Sequence, residues 1–283
     1  MDIITIKLME KHLNIPLDIL RYLQDFIYIK LTNKNIHYAV QMWCINKEKT
    51  ILLYGPISYW NVSKVTNMVK LFAFKHDFNE DISRWNVSNV TNMAYMFYGV
   101  DSFNSDISRW NVSNVTNMHQ MFCYCSSFNR DLSNWNVSNV NNMHQMFYKA
   151  KVFNSDISKW NVTNVINMSF MFNSAISFNS DLSEWNVSNV EDMHYMFFDC
   201  KNFNSDISNW DVSNVKNMSH MFDAAEIFNS DISSWNVSNV QDMSFMFRGA
   251  LCFRQNLNNW NIDNVTNMND MFSVVNFLPD WYK

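Results

Sequence analysis

Glycine and proline are nearly absent, with three of each in 283 residues. A chain this poor in both must build its turns from other residues. Asparagine is abundant, tolerates left-handed backbone and hydrogen-bonds its own main chain. Long apolar runs are missing too: nowhere do about 18 apolar residues follow one another, the length a membrane-spanning helix needs, so no membrane partner is expected. Basic residues are in deficit, with a formal net charge of −5, which excludes the clustered Lys/Arg footprint of a nucleic-acid-binding surface. Cysteine pairing is not signalled, because Cys44, Cys123, Cys125, Cys200 and Cys252 are odd in number and irregular in spacing, fitting neither a zinc site nor a disulfide framework. The opening MDIITIKLMEKHLNIPLD lacks a basic flank, an unbroken apolar run and a small-residue cleavage site. The expectation is a cytoplasmic protein.

What is present is hydrophobic and periodic. Hydrophobic residues make up 48% of the chain, enough for a sizeable core. Tryptophan stands at 60, 85, 110, 135, 160, 185, 210, 235 and 260, a spacing of 25 without an insertion. Such self-similarity predicts nine coils, each burying its apolar face only against its neighbours. Counted from the tryptophan, the unit reads W-N-V-S-N-V-T-N-M-x-x-M-F, five variable residues, then F-N-x-D-I-S-x.

Two spacings inside the unit suggest local structure. Ile82, Trp85, Val87 and Val90 follow I-x-x-W-x-V-x-x-V, which matches the leucine-rich-repeat skeleton and predicts a short strand pointing these residues inward. Met93, Met96, Phe97 and Val100 fall at i, i+3, i+4 and i+7, predicting a helix of about two turns. Asn92, which is Asn or Asp in every copy, takes the N-cap position. The fourth stripe member is mostly small, so Cys125 and Cys200 read as packing residues in an alanine slot.

The expected fold class is α/β: a leucine-rich-repeat-like solenoid of nine 25-residue coils, with a parallel sheet on one side, short helices on the other and a helical N-terminal cap. Residues 1–50 form that cap, with helices over NIPLDILRYLQDF and TNKNIHYAVQMWCIN. Residues 51–277 are the repeats, and 278–283 form a C-terminal cap in which Trp281 lies over the last coil.

The words FNSDISRWNVSNVTNMHQMF and the lead-in LTNKNIHYAVQMWCINKEKTILLYGPISYWNVSKVTNM resemble the 25-residue repeat, and the segment preceding it, of the Mycoplasma-lipoprotein-associated, BspA-like proteins. The resemblance covers roughly residues 31 to 275. It implies a leucine-rich-repeat relative without a shared catalytic residue. Members of that family include surface adhesins and proteins of protists and large DNA viruses. This chain departs from the surface members in lacking a signal peptide or a lipid-attachment cysteine at its start.

Several rows of polar residues invite a chemical reading. Asp81, Asp106, Asp131, Asp156, Asp181, Asp206 and Asp231 recur in the return loop, where Asn-x-Asp is a turn signature before it is a calcium site. Columns headed by Asn104 and Asn86 are assigned to coil-to-coil amide ladders. His119 and His144 occupy one position in consecutive coils, two ligands too few for a metal site. The Asn-Val-Ser/Thr words at Asn86 and its copies are read as by-products of the repeat.

No coil carries an insertion in which unlike groups converge. The expectation is a non-enzymatic protein with no catalytic, cofactor-binding or metal residues and no cofactor. Its function is to present a rigid repeat surface to a protein or carbohydrate partner. Candidate interaction residues are Arg84, Arg109, Lys159 and Glu184, each just before a tryptophan, and Tyr95, Tyr98, Tyr195 and Phe198 on the outer face. The alternative is an adaptor: IPLDILRYLQDFI, with Pro16, Asp18, Ile19, Leu20 and Leu23, resembles the start of an F-box, which would dock a ubiquitin-ligase subunit while the coils select substrate.

Overall fold

A computed structural model describes residues 28–275 and 277–282. Two helices open the described chain: α1, Ile36–Ile45, and α2, Lys47–Tyr54. A single 3-10 turn, Ile57–Tyr59, leads from them into the repeats. Ile36, Ala39, Val40 and Trp43 are the buried face of α1, as the spacing of TNKNIHYAVQMWCIN predicts. The proposed earlier helix over NIPLDILRYLQDF lies outside the described residues.

The repeats do not form a leucine-rich-repeat-like solenoid with a parallel sheet and a helical side. From Trp60 onward the described residues contain no helix and no strand longer than one residue. Among the described residues the only β pairing is a run of isolated parallel bridges, from Asn67 with Asn92 through to Asp242 with Asn267. What forms instead is a stack of rungs built from tight turns.

The three-residue spacings explain why. Each inward pair brackets a turn closed by an N–H to C=O bond three residues back: Trp85 to Ile82, Val90 to Val87, Met96 to Met93, Val100 to Phe97 and Phe103 to Val100. The inward-pointing residues of the sequence reading are therefore buried, but on turn corners. The segment read as a helix is a double turn. Tyr95 has φ 58° and Gly99 φ 68°, the positive value required at the third residue of a type II turn.

Hydrogen bonding decides between the double turn and the helix. An isolated two-turn helix leaves its first four N–H groups without intrahelical partners. In the double turn every N–H from Met93 to Val100 is used. Those of Met93, Tyr95, Phe97 and Gly99 reach carbonyls of the next rung at Asn117, His119, Met121 and Cys123, while those of Met96, Tyr98 and Val100 close their own turns. That of Ala94 goes to the Asn92 side chain at 3.0 Å. Asn92 thus does what its position predicts, accepting an orphan N–H, with no helix behind it. The conformational cost is visible, since sixteen non-glycine residues among those described have positive φ, each disfavoured by roughly 1–2 kcal/mol.

Side chains lock the rungs together. Each indole N–H donates to a carbonyl of the preceding rung, Trp85 to Ile57, Trp110 to Ile82 and so on to Trp260 on Ile232, at 2.8 to 3.1 Å. Both ends keep the rule: Trp60 donates to Gly55 at 2.9 Å, and Trp281 fills the slot at Leu257, also at 2.9 Å. Behind the tryptophans run two interlocked phenylalanine columns. Phe97 stacks on Phe122 at 5.6 Å along the axis and on Phe103 at 3.8 Å within its rung.

The asparagine ladders differ in part from expectation. The Asn104 column does tie rungs, accepting the N–H of Asn129 at 3.1 Å. Asn86 instead accepts the N–H of Ser88 within its own turn. The tie on that side comes from Asn89, whose Nδ2 donates to the Ser63 carbonyl at 2.8 Å, a contact repeated down to Asn264 on Ser238.

Two substitutions test this account. Trp160→Phe removes the indole's 3.0 Å bond to the buried Leu132 carbonyl and leaves that oxygen only the Trp135 N–H, and is expected to destabilise the chain by ~0.5–1.5 kcal/mol from the lost bond; Trp281→Phe, at a half-buried end, should cost less, both read from urea unfolding. At Gly249, φ is 71° and an added Cβ meets nothing closer than 3.6 Å. Gly249→Ala should therefore show the backbone penalty alone, ~1 kcal/mol, in the same assay.

Candidate interaction face

The double turn sets its inward residues at Met93, Met96, Phe97 and Val100, so positions 94, 95, 98 and 99 and their copies look outward or flank the surface. Down the stack the column containing residue 95 reads Lys70, Tyr95, Gln120, Gln145, Phe170, Tyr195, His220, Phe245 and Asp270. These residues share one backbone geometry with positive φ, while their chemistry varies along the stack, with only Gln120 and Gln145 alike in consecutive rungs.

Rings on this face form a nearly continuous chain. The Lys70 ammonium sits 5.1 Å over Tyr95, whose hydroxyl meets His119 Nε2 at 2.9 Å. His119 stacks on His144 at 5.0 Å, and His144 stands edge-on to Phe170. Phe170 then stacks on Tyr195 at 4.7 Å, Tyr195 on His220 at 4.1 Å and His220 on Phe245 at 4.6 Å. A second file runs beside it through Phe74, Tyr98, Tyr124 and Tyr148, with Lys149 over the last two rings.

The file ends on a charged group. Asp223 is 2% exposed as a side chain, and takes two bonds from Arg248, at 3.0 and 2.7 Å, and one contact from His220 at 2.8 Å. Arg248 also lies 4.8 Å over Phe245, so the guanidinium is fixed by both a carboxylate and a ring. The hydrogen bonds from Arg248 to Asp223 hold the guanidinium firmly protonated. Asp199, next to this group, has its carboxyl pushed up by burial.

The eight candidate residues separate onto two surfaces. Tyr95, Tyr98, Tyr195 and Phe198 are half-buried members of the ring face, joined as Tyr95–Tyr98 and Tyr195–Phe198 pairs. Arg84, Arg109, Lys159 and Glu184 are exposed on the tryptophan corner. There Arg84 lies over Tyr59 and Arg109 lines a shallow groove with Asn134 and Asn136. No hydrogen bond or ring contact among the described residues joins the two sets. The sequence reading passed over the His220–Asp223–Arg248 group. Its signal was available, since Asp223 and Arg248 are separated by one repeat length and so sit in one column.

The other rows resolve into turn chemistry. Asp81 accepts both the N–H and the hydroxyl of Ser83, and its copies accept the N–H of the serine two residues on. Serine hydrogen bonds hold the carboxyls of Asp81, Asp106, Asp156, Asp206 and Asp231 below the usual range. His119 and His144 aim their bonded nitrogens at Tyr95 and Ser169, not at a shared point. No group of three or more His, Cys, Asp or Glu among the described residues is placed to hold a metal ion. Cys125 and Cys200 are fully buried and donate to the Phe97 and Phe172 carbonyls, and burial raises both thiols. Cys123 is pushed up to about 12 by burial. Thiols so held are packing groups.

Burial lowers His144 to about 4 from its ordinary 6.5, with the His119 imidazole adding to the effect. Between those values the unfolded chain binds a proton that the folded chain refuses. Stability should thus fall as pH drops through this window. The turn aspartates add a second loss below 3.8, their ordinary value. The expected outcome is an NMR titration in which His144 stays neutral to about pH 4, and a His144→Gln variant whose unfolding free energy depends less on pH than the parent's.

The F-box-like residues Pro16, Asp18, Ile19, Leu20 and Leu23 lie outside the described residues. No helix among the described residues is long and apolar enough to cross a membrane. A family model described as a Mycoplasma protein of unknown function, DUF285, matches residues 41–148, 125–213 and 181–280. No curated protein shows significant similarity to the chain. The matched segments run through most of the sequence and share its repeat. The chain belongs to the DUF285 family of Mycoplasma proteins of unknown function.

Proposed function

We propose that this repeat protein is a non-enzymatic scaffold that binds a protein partner on the ring face of its double turns. The observation that carries the reading is the contrast within each rung. Inward positions repeat Trp, Val, Met and Phe with little change, while the outward column beginning at Lys70 runs through lysine, tyrosine, glutamine, phenylalanine, histidine and aspartate. A fixed frame with a varied, half-buried aromatic surface suits recognition, since aromatic and arginine side chains dominate protein interfaces.

Ring geometry favours a protein over a carbohydrate. Sugars bind aromatic rings by lying on an open face. Here Phe170, Tyr195, His220 and Phe245 cover one another's faces and turn their edges outward, which suits apolar side chains and carbonyl acceptors. The exposed tryptophan-corner residues Arg84, Arg109, Lys159 and Glu184 contribute at most to steering.

The test compares two sets of substitutions in the full chain, immobilised to capture its partner. Tyr195→Ser with Phe198→Ser is expected to weaken the captured complex by about tenfold or more, with an unfolding transition that remains cooperative. Arg84→Glu with Arg109→Glu should change affinity by no more than about threefold. Equal losses from both sets, or a catalytic turnover removed by one side-chain change, would overturn the reading.

A further inference from the structure

The ninth rung is only half covered. Residues 277–282 fold back over its tryptophan side: Trp281 donates to Leu257, the Asp280 N–H donates to Asn258 Oδ1 at 2.7 Å, and Tyr282 meets Phe272 edge-on at 5.0 Å. The valine–methionine side has no such cover among the described residues. Ile262, Val265 and Met268 are partly exposed, whereas their counterparts one rung earlier, Val237, Val240 and Met243, are at most 1% exposed.

The backbone there is open in the same place. In the eighth rung the N–H groups of Met243, Phe245, Phe247 and Gly249 bond to carbonyls of the ninth. Their successors, Met268, Asp270, Phe272 and Val274, have no acceptor among the described residues. Two acceptors are also unused. Gln241 O receives the Thr266 N–H and Ser238 O receives the Asn264 amide, but Thr266 O and Asp263 O receive no donor among the described residues. An apolar patch beside alternate unpaired donors is a docking edge of the kind that extended segments complete.

We infer that this half-rung binds one further repeat-like segment, supplied by another polypeptide. The eight internal junctions define what fits. Such a segment offers carbonyls to the four N–H groups, an asparagine amide to Asp263 O, a backbone N–H to Thr266 O, and valine and methionine side chains to the patch at Ile262, Val265 and Met268. Two ninth rungs cannot pair with each other, because donors would face donors. Head-to-tail stacking of intact chains is opposed by the N-terminal segment that covers the first rung. There His37 takes the Val69 carbonyl at 2.9 Å and Asn33 binds Thr66. A lone segment of N-V-S-N-V character, without the tryptophan whose slot Trp281 fills, meets neither obstacle.

The probe is a synthetic peptide of residues 236–250, NVSNVQDMSFMFRGA, added to the full chain and followed by amide hydrogen exchange. In the free chain the amides of Met268, Asp270 and Val274 should exchange fast beside the slow amides of Met243, Phe245 and Gly249. Saturating peptide should slow the Met268, Asp270 and Val274 amides by about tenfold or more. A scrambled peptide should not, and Val265→Lys should abolish the protection. Absence of protection at about millimolar peptide, equal protection by the scrambled sequence, or protection confined to another rung would overturn the inference.

Discussion

The structure depends on alternate backbone N–H groups reaching across to the next rung. In the double turn, one N–H closes a turn and its neighbour crosses to a carbonyl 24 residues on, as Tyr95 does to His119 and Tyr98 to Tyr95. A buried main chain cannot leave these groups unpaired without losing roughly 1–3 kcal/mol for each. Pairing them this way forces positive φ at residues such as Tyr124, Phe170 and His220. The near absence of glycine is therefore not a sign that left-handed backbone is absent. It shows that the stacked neighbours repay the local strain, rung after rung.

Much of this was legible in the sequence, and the part that was not has a definite cause. The period of 25, the inward Trp, Val, Met and Phe, and the helix at Ile36–Ile45 follow from spacing alone. The secondary structure of the rung did not. An i, i+3, i+4, i+7 stripe such as Met93, Met96, Phe97 and Val100 fits a helix, yet it equally fits two turns whose corners point inward. Only the partner of each N–H separates the two, and that partner lies in another repeat. I-x-x-W and V-x-x-V carried a clearer warning, because a strand alternates every two residues and these pairs are three apart.

Register is the property the face inherits from this arrangement. Because no rung carries an insertion, residues 25 apart are stacked neighbours. Asp223 finds Arg248, Lys70 finds Tyr95 and Phe170 finds Tyr195 through that single rule. The ring face is thus an ordered file whose composition can change one residue at a time without disturbing the frame. The same rule explains why Arg84, Arg109, Lys159 and Glu184 stay apart from the rings: columns run along the axis, and two columns on different corners do not converge.

Covering the two ends obeys the same hydrogen-bonding demand, with different solutions. At the first rung the tryptophan slot is met by Gly55 and the turn carbonyl of Val69 by His37, so side chains and helix-flanking backbone stand in for a missing rung. At the ninth, Trp281 imitates the next repeat's indole but brings no turn with it. Residues 277–282 cover one column, whereas a rung presents several. Imitating the indole alone satisfies Leu257 O and shields Phe272, and leaves the valine–methionine side to whatever chain supplies the remaining carbonyls. The asymmetry between the two described covers follows from how many of a rung's columns each one imitates.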